Sequence, residues 1–242
     1  MSTDWLLWIP LGIIALPLAI VIIFTPIILI AALVEKRHAQ PYGPEEELGQ
    51  GRVKIGSYLQ EMIEEAAGLG FGAPEIHKHR KYEIWVAFWF NAERDILLKS
   101  GQGKIAGMPA KQTMLMSRQS DGRFLVTTDE FDEGDPTGMT EFKRVVNGDL
   151  EELLDAHEQR LDKVNVPIEQ FKEATAYEAV IAILRQQADE LIHRGRAGWV
   201  DELEGVWRYN LAGAFNIVLG FYKQMLIGVT QFWRVNKRRP GG

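Results

Sequence analysis

The sequence predicts an α+β protein that begins with an apolar helix. An uncharged stretch runs from Trp5 to Val34, aromatic and β-branched segments dominate residues 82–127, and residues 149–195 carry apolar side chains at helical spacing. Strands followed by helices, without regular alternation, are typical of α+β domains. We therefore expect an N-terminal transmembrane helix, a small antiparallel sheet of about four strands, and a helical C-terminal half with a long final helix.

The stretch Trp5–Val34 is long enough to cross a bilayer, since about 20 apolar residues suffice. A cleaved signal would need a basic start and a shorter apolar core, whereas Asp4 precedes this stretch and basic residues follow it. Basic residues are retained in the cytoplasm, so the sequence predicts a single-pass cell-membrane protein with its N-terminus outside and its main domain cytoplasmic. The predicted membrane anchors are Trp5, Trp8, Lys36 and Arg37.

Composition excludes some functions. The 242 residues carry a net charge of −6, and their basic residues cluster only near the two ends, so we expect no nucleic-acid surface. The chain has no cysteine, which fits a reducing compartment. No cofactor is predicted. The expected partners are the lipid bilayer and other subunits of a membrane complex, with a homo-oligomer as a further option.

The chain divides into four predicted segments: a membrane anchor with flanks (1–37), a linker (38–56), a cytoplasmic α+β domain (57–200), and a long C-terminal helix with a basic tail (201–242). The linker is rich in proline, glycine and glutamate. Ser57 and Gln60 have the spacing of a capping box, which predicts a helix that begins at Ser57 and ends at Gly68.

Residues 82–90 form a nearly continuous apolar run, which predicts a central strand covered on both faces. Glycines and Pro109 are expected to interrupt the strands that follow. Asp121-Gly122 predicts a hairpin turn between residues 115–116 and 124–127. Capping boxes at Asp149 and Thr175 then predict two helices, which end before Pro167 and at Gly195.

The final segment carries an apolar stripe in alternating steps of four and three residues, which is typical of a helix packed lengthwise against another. The stripe consists of Leu211, Phe215, Val218, Tyr222, Met225, Val229 and Phe232. Trp207 and Trp233 flank it as interfacial anchors would. We leave open a core or interaction helix, an interfacial helix, and a second membrane span, although the central Lys223 disfavours a free span.

Glu75, His77 and His79 are the candidate metal ligands, because alternate residues of a strand share one side and imidazole and carboxylate groups suit zinc. The alternative is a solvated basic stretch before the strand. No cysteine, G-x-S-x-G or H-E-x-x-H motif is present, so no catalytic residue is assigned.

These features favour a membrane-anchored, non-catalytic binding or scaffold protein, as an accessory subunit or adaptor of a membrane complex. The alternative is a membrane-tethered metal-dependent enzyme that uses Glu75, His77 and His79. A third interpretation is a lipid-facing domain held by both basic ends.

Overall fold

The computed structural model describes residues 21–43, 56–105, 108–129, 137–146 and 148–223. These residues fall into two compact units. The described residues of His38–Glu190 form one, here termed the central unit, and those of Met1–Arg37 and Leu191–Gly242 form the other, the terminal unit.

The central unit is built on an eight-stranded mixed sheet. Its main path has the order β2-β3-β4-β5-β6-β7-β8, and β9 pairs with β6. The strands are β2 (Tyr42–Gly43), β3 (Glu75–His79), β4 (Glu83–Phe90), β5 (Leu97–Ile105), β6 (Met108–Gln119), β7 (Phe124–Thr128), β8 (Thr140–Arg144) and β9 (Ile168–Glu169). The pair β7–β8 is parallel and the other pairs of this sheet are antiparallel.

Both faces of this sheet are covered, which explains the continuous apolarity of β4. Val86 and Phe88 belong to one core cluster, together with side chains of α4 (Ala176–His193). Ala87 and Trp89 belong to a second cluster, together with α2 (Ser57–Gly68) and α3 (Leu150–Leu161). The prediction of a central strand buried on both sides is confirmed.

Side-chain caps set the beginning of two helices. The Asp149 carboxylate accepts a hydrogen bond from the backbone N–H of Glu152 at 2.9 Å. Thr175 and Glu178 form the reciprocal bonds of a capping box at 3.1 and 3.3 Å. The predicted N-cap at Asp149 and the predicted capping box at Thr175 are confirmed. Such caps form within one turn of chain, so the local sequence indicates them. The predicted box at Ser57 is wrong, since Gly56 is the N-cap of α2 and makes no side-chain bond.

The terminal unit contains helix α1 (21–34), helix α5 (211–223) and a three-stranded sheet. This sheet has the order β1-β11-β10, with β1 (Arg37–His38), β10 (Ala197–Asp201) and β11 (Val206–Tyr209). Asn210 begins α5: its side-chain oxygen accepts from the N–H of Gly213 at 3.0 Å, and its amide donates to the carbonyl of Gly195 at 2.7 Å.

The structure contradicts the predicted membrane topology. Within the described residues, no helix combines the length and the apolarity needed to cross a bilayer. The predicted transmembrane helix, its single pass and the cell-membrane location derived from it are therefore corrected. Trp5, Trp8 and the rest of residues 1–20 lie outside the described part.

The prediction of a small four-stranded sheet is also wrong, although the α+β class holds. Strand β5 continues through Gly101 and Gly103, and β6 contains Pro109, where we expected interruptions. A side chain at Gly103 would overlap the backbone oxygen of Glu83, so a glycine allows the strands to approach there. The C-terminal half is not wholly helical, because β10 and β11 precede α5. Trp207 is buried within β11.

Candidate functional site

A cavity of about 160 Å³ lies between the large sheet and α4 in the central unit. The sheet lines it with Met114, Met116, Phe124, Val126 and Phe142. Helix α4 lines it with Val180, Ile183 and Leu184. The lining of the cavity is thus mostly apolar. Two of the lining side chains are methionines, which are flexible and can adapt to ligands of different shapes.

Four side chains with polar atoms complete the lining: Tyr42, Lys99, Thr140 and Gln187. Gln187 donates to the Thr140 hydroxyl at 3.4 Å. The Lys99 ammonium lies 6.0 Å from the centre of the Tyr42 ring, and no described carboxylate forms an ion pair with it. Mostly apolar walls with a few polar groups, such as a charged side chain, are the usual composition of a small-molecule site.

The three predicted metal ligands lie along β3, and each has its own partner. His77 is buried, donates through Nδ1 to the Gly43 carbonyl at 3.0 Å and stacks on the Tyr177 ring at 3.9 Å. A Glu75 oxygen accepts from the N–H of Ala176 at 2.7 Å, at the first turn of α4. These two side chains therefore link β3 to α4.

His79 lies near Tyr42 and Lys99. Its Nδ1 accepts from the N–H groups of Lys81 and Tyr82 at 3.1 and 3.2 Å. Burial, with a smaller contribution from the Lys99 charge, lowers the pKa of the His79 imidazole. Among the described residues, no three histidine or acidic side chains are grouped to hold a metal ion. The metal site remains a prediction from the sequence.

A second polar cluster, buried between β6, β7 and α3, was not predicted. Ser117 Oγ lies 3.0 Å from His157 Nε2, and Thr127 Oγ1 lies 2.9 Å from His157 Nδ1. Arg160 donates to Thr127 Oγ1 at 3.1 Å. The Ser117 hydroxyl donates to the carbonyl of Asp95 at 2.7 Å.

This geometry resembles that of a serine nucleophile and its base, but it serves stability. Ser117, Thr127 and His157 are fully buried, so no substrate reaches them. The Ser117 hydroxyl donates its proton to the Asp95 carbonyl, so Ser117 Oγ accepts a hydrogen bond from His157 Nε2. His157 therefore does not act as a base that would deprotonate Ser117. Burial and the neighbouring Arg160 charge lower the pKa of His157 to about 3, which keeps its ring neutral.

The predicted interaction stripe lies partly in the described residues. Leu211 and Phe215 are exposed, Val218 is buried and Tyr222 is half-buried. The Tyr222 hydroxyl lies 2.8 Å from Thr25 Oγ1, which joins α5 to α1. Met225, Val229 and Phe232 lie outside the described residues.

The two helices of this pair expose eleven large apolar side chains, which together we name the α1–α5 surface. They are Val21, Ile22, Ile23, Phe24, Ile27, Ile30, Val34, Leu211, Phe215, Leu219 and Phe221. Val34 is 71% exposed and Leu219 is 65% exposed. Exposed apolar patches of this kind usually mark a surface that another molecule covers.

The predicted anchors Lys36 and Arg37 follow α1. Lys36 is exposed. The Arg37 guanidinium lies 5.0 Å from the Tyr209 ring centre and 5.9 Å from that of Trp207. Cation–π contacts at these distances are stabilising, so Arg37 joins β1 to β11.

The chain matches no protein-family model, no curated protein and no solved structure.

Proposed function

We propose that this protein acts by binding, as a non-catalytic accessory subunit or adaptor of a larger assembly, and that the α1–α5 surface packs against a helix of a partner subunit. The observation that carries this proposal is the exposure of eleven large apolar side chains on two adjoining helices. A helix with apolar side chains on every face is normally covered on every face.

The spacing of these side chains supports a helical partner. Leu211, Phe215 and Leu219 recur every four residues along α5, and Ile23 and Ile27 repeat this step along α1. Rows at this spacing form ridges that interlock with the grooves of another helix. The isoleucines are also stiff at their first torsion, so less side-chain freedom is lost when they are covered.

The test compares two leucine-to-aspartate variants of the full-length protein. Leu219→Asp places a charge in the α1–α5 surface. Leu203→Asp, the matched control, makes the same change at a residue that is 98% exposed in the β10–β11 turn. Native complex mass after gentle extraction should fall for Leu219→Asp and stay unchanged for Leu203→Asp.

Two results would refute this proposal. One is a complex that survives Leu219→Asp as well as it survives Leu203→Asp. The other is a particle that contains only copies of this chain, or this chain with lipid alone, because an accessory subunit requires a different protein as its partner.

A further inference from the structure

The cavity beside α4 belongs to the central unit and has no role in the proposed partner binding. Its lining combines stiff aliphatic groups of α4, such as Val180 and Ile183, with the adaptable Met114 and Met116 of β6. Apolar walls of this kind favour a ligand with an alkyl body. The ligand therefore gains most of its affinity from burial of hydrocarbon.

Volume limits the size of the ligand. The cavity measures about 160 Å³, whereas sites for drug-sized molecules and cofactors occupy roughly 300 to 1,000 Å³. An apolar cavity of about 150 Å³ holds a benzene molecule. Nucleotides, haem and long-chain lipids are therefore too large, and a chain of about six to eight carbons is the appropriate length.

The charge of the cavity lining indicates the head group of the ligand. Lys99 contributes the cation in the lining, beside Tyr42. Among the described residues, no acidic side chain pairs with Lys99, so none of them competes with a ligand anion for its ammonium. No carboxylate lines the cavity, so the local charge repels a cationic head group.

We propose that this cavity binds a short alkyl monocarboxylate, of about six to eight carbons, with its chain among the side chains of β6 and α4 and its carboxylate on the ammonium of Lys99. A planar carboxylate accepts charge-assisted hydrogen bonds from an ammonium group.

Hexanoate is the probe, and the full-length protein carries ¹³C-labelled methionine methyl groups. Hexanoate should shift the methyl signals of Met114 and Met116, which line the cavity. The signal of Met62 should stay in place, because this residue belongs to the core cluster on the other face of the sheet. Hexylamine, with the opposite charge, should bind much more weakly.

The charged contact is tested with Lys99→Met, which keeps the length of the side chain and removes its cation. Its matched control is Lys104→Met, on the same strand and outside the cavity lining. Lys99→Met should weaken hexanoate binding by about 10- to 100-fold, as expected for a hydrogen bond to a charged group. The same variant should leave binding of the neutral hexan-1-ol unchanged, and Lys104→Met should alter neither.

Three outcomes would overturn the proposal. They are an absence of hexanoate-dependent shifts at Met114 and Met116 at millimolar concentration, equal binding of hexanoate and hexylamine by the unmodified protein, and equal hexanoate affinity in the two lysine variants. If Lys99→Met does not fold, Lys99→Arg replaces it and should retain hexanoate binding, and the comparison of hexanoate with hexylamine needs no variant. Failure of partner binding at the α1–α5 surface would leave these results unaffected.

Discussion

The hydroxyl oxygen of Ser117 lies 3.0 Å from Nε2 of His157, although 40 residues separate them in the chain. This contact is one link of a directed series. Arg160 donates to Thr127, Thr127 donates to His157, His157 donates to Ser117, and Ser117 donates to the Asp95 carbonyl. Each group in it has a partner only while His157 is neutral and protonated at Nε2.

The first prediction concerns acid stability. The pKa of His157 is about 3 in the folded protein and 6.5 in its unfolded reference. Because the unfolded chain binds the proton more readily, the stabilisation is complete above pH 6.5 and is lost as the pH falls toward 3. The expected loss from this residue is on the order of 5 kcal/mol. Chemical denaturation across this pH range measures it.

The control separates His157 from the carboxylates, which also titrate in acid. His157→Gln should be less stable than the unmodified protein near neutral pH by about 1 to 3 kcal/mol, and this difference should shrink as the pH falls. For His193→Gln, at an exposed histidine, the free energy of unfolding should change with pH in the same way as for the unmodified protein. A constant difference between His157→Gln and the unmodified protein would show that His157 does not titrate as described.

The second prediction concerns Glu75. Its carboxylate accepts from the N–H of Ala176 in the first turn of α4, where a negative charge is also favoured by the helix dipole. Glu75→Ala should therefore lower the free energy of unfolding by about 1 to 2 kcal/mol, while Glu75→Gln, which keeps an acceptor oxygen, should cost less. Glu83→Ala, at an exposed position of β4, is the control.

The same variants distinguish this cap from a metal ligand. If Glu75 acts as a cap, Glu75→Ala lowers the melting temperature equally with and without added zinc. A zinc-dependent rise in melting temperature that disappears in Glu75→Ala would instead support the metal site predicted from Glu75, His77 and His79.

The third prediction concerns Gln119, which is 1% exposed and whose side-chain oxygen and nitrogen have no partner among the described residues. A buried polar group without a hydrogen bond costs about 1 to 3 kcal/mol. Gln119→Leu should therefore raise the free energy of unfolding by about 1 kcal/mol. A loss of stability in this variant would indicate a bound water that satisfies the amide.

The fourth prediction concerns Gly213 at the start of α5. An added Cβ would overlap the carbonyl oxygen of Arg196 and lie 2.7 Å from the Tyr209 ring. Gly213→Ala should lower the unfolding free energy of the terminal unit by about 1 to 3 kcal/mol, as overpacking does elsewhere. Gly198→Ala, where no atom lies within 4 Å of the new Cβ, should cost much less, and equal losses would contradict this packing.

The elements that the sequence predicted correctly are those with local signals. Asp149 and Thr175 lie within one turn of the N–H groups that they cap. The hairpin at Asp121-Gly122 follows from the positive φ of Gly122, +83°, which glycine adopts without strain. The apolar run of β4 reflects burial on both faces, because each residue of such a strand has to be apolar.

The features that sequence analysis missed depend on contacts between distant residues. Strand β8 pairs in parallel with β7, and no local sequence pattern predicts that pairing. Lys99 and Ile183 line one cavity although 84 positions separate them in the numbering. His157 carried a weak signal, since a histidine on an apolar helical face requires a buried partner, but its partners Ser117 and Thr127 could not be located from spacing alone.

Site-specific photocrosslinking in the producing cells shows whether the α1–α5 surface contacts a partner subunit. Benzoylphenylalanine replaces Leu219 in one variant and Leu203, outside this surface, in the other. We expect a crosslink from position 219 to one other protein and none from position 203. Crosslinks from position 219 only to lipid or to copies of this chain, or identical products from both positions, would contradict it.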